Sequence, residues 1–277
     1  LLSIGLFLLV RNWETRQRQL QVADLVQEQI ARLQVSMLRS IEVLYSVAAL
    51  HAADGGLRHE RFSLFVRQAL NRQPELQALS WNPVVSGRDR DLFAGGMPFG
   101  IRERDATGQL APAAKRTRHV PVAFIEPVEG NEAALGYDLN SDDLRQEALN
   151  RARDSGQPIG TAPVRLAQAR SAEAGFLVVL PVYLGAAPPQ TVEERRSSLA
   201  GYAVAVFRVA NLVEDVFRDL SQKMIRVKLR DLSAANALIY STLQNSETPV
   251  TGRADLEFAE HRWQISYSDA GWVLGPQ

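Results

Sequence analysis

The chain has 277 residues, 46% of them hydrophobic, enough for two domains with a sizeable core. Its 31 basic and 31 acidic residues balance, so no basic footprint for nucleic acid is indicated. It contains no cysteine, which excludes structural disulfides, thiol catalysis and cysteine–zinc sites.

Leu1 to Val10 reads LLSIGLFLLV, about half the length of a membrane span. Trp13 stands where an interfacial aromatic belongs, and the outer end of a transmembrane helix over 1–11 is expected. Arg11, Arg16 and Arg18 run against this, because basic residues favour the cytoplasmic side; a buried core helix is the competing reading. From Asn12 to Ala53 there is neither proline nor glycine. Val22, Val26, Ile30, Leu33, Met37, Ile41, Leu44 and Ala48 recur at intervals of three and four, one apolar stripe on a long helix. Such a helix is too long for a typical globular domain, so a stalk over 12–58 that pairs with a second copy in a homodimer is expected.

Asp54-Gly55-Gly56 ends that helix. A shorter amphipathic helix is predicted from His59 to Arg72, stopped by Pro74, then a strand from Leu76 to Trp81 and a small helix from Arg88. Ile101 to Glu103 reads as strand, Thr107 to Arg118 as a polar loop, and Val122 to Ile125 as a buried strand. Ser141 can cap the next helix, with Asp142 and Asp143 in its positive first turn. Leu144, Ala148 and Ala152 would form its apolar face; Gly156 and Pro158 stop it. Pro158 to Leu166 and Phe176 to Leu184 read as strands, and Gly185 to Gln190 as a break.

Leu199 to Val209 is strand, Asn211 to Leu220 an amphipathic helix, and four strands follow between Ile225 and Tyr267. The expected fold is α+β: a long N-terminal helix followed by two PAS-like units with antiparallel sheets, one over 59–195 and one over 196–277.

Catalytic constellations are missing. His51, His59, His119 and His261 have no metal-ligand spacing, and no His-Glu-x-x-His, Gly-x-Ser-x-Gly or Walker loop occurs. No cofactor and no catalytic activity are expected of this chain. The helix starting near Ser141 could leave part of the sheet face open as a hollow, with Asp138 at its rim. A carboxylate there could accept charge-assisted hydrogen bonds from a ligand's N–H groups, or it could cap local backbone or pair with Arg165. Phe124, Tyr137, Val164 and Phe176 would line an apolar pocket, or simply belong to the core. Asp142, Asp143, Glu214 and Asp215 read as solvated helix charges.

The ordered blocks Gly136-Tyr-Asp-Leu-Asn-Ser-Asp142, Arg151-Ala-Arg-Asp-Ser-Gly156, Thr161-Ala-Pro-Val-Arg-Leu166 and Phe176 to Tyr183 resemble the CHASE domain. Leu79 to Val84, Asp89 to Phe93, Thr191 to Arg195 and Ala200 to Tyr202 extend the resemblance to roughly residues 76–218. It implies a periplasmic sensor domain, anchored in the inner membrane, of a histidine kinase or diguanylate cyclase that reads a small molecule. Asp138 matches the aspartate that holds the adenine ring in plant cytokinin receptors. The resemblance implies an adenine-type ligand or another small polar organic molecule; Gly160, standing where those receptors have a ligand-packing leucine, and Ala167 to Ala172, differing where they have a contacting threonine, count against adenine-type specificity. Thr161 and Arg165, on the strand over 159–166, complete the expected site. A ligand-free dimerisation or protein-interaction module is the alternative; it predicts a filled cleft and an exposed apolar patch.

Overall fold

The computed structural model describes residues 2–165, 174–185, 188–242 and 249–270. The expected loop Ala167 to Ala172 lies outside them, as do the side chains of Arg165, Glu214 and Asp215. The elements in chain order are α1 (Leu2–Asp54), α2 (His59–Leu70), β1 (Leu76–Pro83), β2 (Val85–Ser86), α3 (Arg90–Gly95), β3 (Arg102–Arg104), β4 (Leu110–Pro112), β5 (Arg118–His119) and β6 (Phe124–Glu126). Then come α4 (Asp143–Ser155), β7 (Ile159–Gly160), β8 (Val164–Arg165), β9 (Ala174–Tyr183), α5 (Val192–Ser198), β10 (Leu199–Arg208) and α6 (Val209–Gln222). The last strands are β11 (Ile225–Asp231), β12 (Ala237–Ser241), β13 (Gly252–Phe258) and β14 (His261–Asp269). The fold is α+β with antiparallel sheets, as the residue patterns predict.

The chain divides into two compact units, one of Leu1–Val35 with Leu212–Gln277 and one of Ser36–Asn211. The second holds the large sheet, in the order β6-β1-β10-β9-β7, with β8 also on β9. Strand β10 pairs with β1 on one side and β9 on the other, both antiparallel. This corrects the expected boundary at 195/196, since Leu199–Arg208 is a central strand of the first sheet.

Strand alternation sends successive side chains to opposite faces of that sheet. Ala78, Ile125, Leu177, Val179, Tyr202, Val204 and Val206 share one face with Ala148, Leu149 and Ala152 of α4. The Tyr202 hydroxyl donates to the Leu149 carbonyl at 3.0 Å, fixing α4 to the sheet. On the other face Trp81 meets His51 of α1, with ring centroids 4.9 Å apart, and Phe124 meets His59 and Phe62 of α2. The buried Glu126 accepts from Ser63 and Arg67, tying α2 to β6.

Helix α4 starts one residue later than expected. Asp142, not Ser141, is its cap, accepting from the Arg145 amide at 3.0 Å. Its inward residues are Arg145, Ala148, Leu149 and Ala152, while Leu144 is 44% exposed. Gly156 closes it in the left-handed region, at φ 76°. Helix α5 starts with a capping box between Thr191 and Glu194.

The other unit has the sheet order β12-β11-β14-β13. Its buried residues include Val22, Val26 and Ile30 of α1, Leu212, Val213, Phe217 and Leu220 of α6, and the alternating Val227, Leu229, Ile265, Trp263 and Leu256. Arg18 of α1 holds Asp269 of β14 through two hydrogen bonds, at 2.5 and 3.0 Å. A two-residue turn, Ala259-Glu260, joins β13 to β14.

Candidate functional site

The site begins at a turn. Gly136 has a positive φ of 76°, and a side chain there would collide with the Gly100 carbonyl, so only glycine fits. It delivers Tyr137 and Asp138 in succession, the first toward α4 and the sheet, the second toward β5.

Asp138 is fully buried. One carboxylate oxygen accepts from the amides of Val120 at 2.8 Å and Asn140 at 3.0 Å, and the other lies 2.7 Å from His119 Nδ1. Arg116 stands 3.8 Å from that second oxygen and pairs more closely with Glu103 at 2.5 Å. Burial works against the charge on Glu103, but the hydrogen bonds from Arg116 and the Ala114 amide outweigh it and hold its pKa below the usual carboxylate value. Asp138 therefore caps the turn Leu139–Ser141 and anchors β5, and its side chain faces this polar knot. The expectation of a rim carboxylate facing an open hollow is not what the geometry shows. The backbone-capping alternative is, with His119 as the side-chain partner.

The hollow is a cavity of about 30 Å³ lined by Ser80, Tyr137, Leu139, Arg145, Leu177, Val206 and other apolar residues of the same core. That is room for a water molecule or two, not for an adenine ring. Among the described residues, Tyr137 is the one expected site residue that lines it. Phe124 and Phe176 are on the opposite face of the sheet, because their neighbours Ile125 and Leu177 take the cavity face. Phe176 stacks on Phe207 with centroids 4.7 Å apart. Val164 is buried in the same core as Tyr137. Gly160 and Thr161 belong to the β7 edge; the Thr161 amide donates to the Leu177 carbonyl, and the Leu177 amide donates to Thr161 Oγ1.

Arg145 and Ser80 reach the cavity without having been foreseen. Arg145 is 5% exposed, lies 5.3 Å above the Tyr137 ring and pairs with Asp142 at 3.1 Å. Its spacing from Leu149 and Ala152, four and seven residues on, places it on the inward face of α4, and that signal was present in the sequence. Ser80 precedes Trp81 and so takes the face opposite to it. A guanidinium, a phenol and a hydroxyl thus converge on an otherwise apolar interior.

The CHASE domain family model matches residues 56–240, more than half of the chain. Probable histidine kinase 4 of Oryza sativa subsp. japonica is 25% identical over 251 residues, covering 89% of this chain and 23% of that protein's length. The periplasmic sensory domain of the Campylobacter jejuni chemoreceptor Tlp1 superposes with a TM-score of 0.59 at 9% identity, covering 95% of this chain and 99% of that one. The ligand-binding domain of the Pseudomonas aeruginosa PAO1 amino acid chemoreceptor PctC, solved in complex with GABA, gives 0.55 at 12% identity, covering 90% and 98%. At these identities the solved structures speak to the fold alone. The matched blocks, the paired antiparallel units and the family model together show that the chain belongs to the CHASE domain family and is an extracytoplasmic sensor domain of a signalling receptor.

Proposed function

We propose that the unit of Ser36–Asn211 senses a small organic molecule bearing a carboxylate, between α4 and the sheet, on the periplasmic side of a bacterial inner membrane. The observation that carries this reading is Arg145, a buried guanidinium lining a cavity beside Tyr137 and Ser80. Buried polar groups converging on an apolar pocket are the usual signature of a small-molecule site. The Arg145 guanidinium, which an anion would share with Asp142, suits a carboxylate, and Asp138 is already occupied by His119 and two amides, which weighs against adenine-type recognition. The GABA complex of PctC is consistent with a carboxylate-bearing ligand on this fold.

With about 30 Å³ of space, this is a closed arrangement. A ligand that binds only when α4 or the Tyr137 turn moves apart from the sheet shifts the population to an open one. Ser80 lines the cavity and its neighbour Trp81 packs on His51 of α1, so a displaced β1 is felt at the long helix. Val35, Leu38 and Tyr45 are 48%, 51% and 42% exposed and share one helical face, opposite the buried Leu33, Met37 and Leu44. That face is where a second copy would pair in a homodimer. At the start of α1, Leu6, Phe7, Leu9 and Val10 are exposed, an apolar surface that supports an anchor there. The output would be a histidine kinase or a diguanylate cyclase.

Isothermal titration with amino acids, organic acids and purines tests the site. A carboxylate ligand is expected to bind, and Arg145→Gln to weaken it more than tenfold, the loss of a charged hydrogen bond worth about 1.5–3 kcal/mol. Unchanged affinity in that variant sinks the assignment.

A further inference from the structure

We infer that a groove beside Trp13, in the unit of Leu1–Val35 and Leu212–Gln277, holds the headgroup of an anionic glycerophospholipid. The groove encloses about 660 Å³ between α1 and the start of β11, and Trp13, Glu14, Gln17, Arg18, Gln21 and Lys223 line it. Its polar groups are disposed for a phosphate carrying hydroxyls. The side chains of Lys223, Gln17 and Gln21 make no hydrogen bond or ion pair with the described residues, leaving one ammonium and two amides as donors. Arg18 is held by Asp269, so its charge is balanced, and Lys223 is the lining cation whose charge is not. Exposed Arg11, seven residues before Arg18, adds a second positive charge on the same helical face. Glu14 would repel a bare phosphate, yet it offers an acceptor to the hydroxyls of a glycerol headgroup.

The lipid, rather than a free phosphate, is indicated by what continues from the groove. Phe7 and Val10 precede Glu14 and Gln17 by seven residues each, two helical turns, and so lie on the groove's own face of α1. They are 62% and 46% exposed, and Trp13, at 64%, sits between them and the polar lining. Acyl chains can run along Phe7 and Val10 while the headgroup enters the groove, with Trp13 at the interface. Met224, 48% exposed and next to Lys223, adds an apolar contact at that level.

This inference rests on the reading of the first helical turns as membrane-embedded. The test uses the full chain in detergent micelles, with retained lipid counted by native mass spectrometry during titration with dioleoylphosphatidylglycerol or dioleoylphosphatidylcholine. The anionic lipid is expected to be retained at about fivefold lower concentration, the effect of one cation near an anionic headgroup. Lys223→Glu and Gln17→Leu should erase that preference, while Lys115→Glu, in the other unit, should keep it; melting curves check that each variant is folded. Equal retention of the two lipids, or a preference that survives Lys223→Glu, overturns the inference. Displacement of the lipid by millimolar glycerol 3-phosphate also overturns it, since that marks a site for a soluble anion. Vesicle flotation separates the two failures: a chain that stays out of vesicles loses the membrane reading as well, whereas one that enters them without headgroup preference loses only the groove.

Discussion

His119 Nδ1 lies 2.7 Å from Asp138 Oδ2, with both side chains fully buried. The other unit repeats the arrangement, His261 Nδ1 meeting the buried Asp231 at 2.6 Å. In each case the carboxylate also accepts from a nearby backbone amide, that of Asn140 or of Ser233. These aspartates hold turns in place.

Asp138→Ala would remove the acceptor for two buried amides and strand a buried imidazole. A buried donor left without its acceptor costs about 1–3 kcal/mol, so the three together cost at least about 3 kcal/mol. Urea unfolding of the variant should show a loss of that size, and a midpoint equal to the parent's would refute the capping role. Ligand affinity of the folded fraction should stay within a few-fold of the parent, the opposite of the behaviour expected for Arg145→Gln.

His51 gives stability a pH dependence. It is buried against Trp81, and burial lowers its pKa from the usual value. The unfolded chain therefore takes up a proton at this position before the folded protein does. Stability is full above the ordinary histidine pKa of about 6.5 and declines as pH falls below it. Urea midpoints at pH 7.5 and pH 5.0 should differ less in His51→Phe than in the parent; equal differences would remove His51 from the account.

The turn between β13 and β14 places two non-glycine residues at positive φ, Ala259 at 47° and Glu260 at 63°. Two-residue hairpins of this kind favour asparagine first, because its short polar side chain tolerates the left-handed region that costs alanine about 1–2 kcal/mol. Ala259→Asn should raise stability by about 0.5–1 kcal/mol in urea unfolding, and a decrease would show that the strain is relieved elsewhere.

Much of the fold was legible in local pattern. The stripe from Val22 to Leu44 marks the long helix, and the apolar run from Phe176 marks the central strand β9. What stayed illegible depends on partners distant in sequence. Nothing near Gly136-Tyr137-Asp138 tells which way the carboxylate points, because its partner His119 is 19 residues away. The place of Leu199–Arg208 between β1 and β9 is a matter of strand order, which no local periodicity carries. Other signals were present and unread. Alternation along β6 and β9 already forbids Phe124 and Ile125, or Phe176 and Leu177, from sharing a face. Thr191 and Glu194 spell a capping box for α5.

The unit containing Arg18 and Asp269 draws on both the first 35 residues and those from Leu212 onward. On a ribosome its opening helical segment must wait for some 175 intervening residues before its sheet exists, while Ser36–Asn211 has everything it needs much earlier. Synthesis thus imposes an order: the unit of Ser36–Asn211 matures first, and the part that grips Arg18 closes after it, around a segment already made.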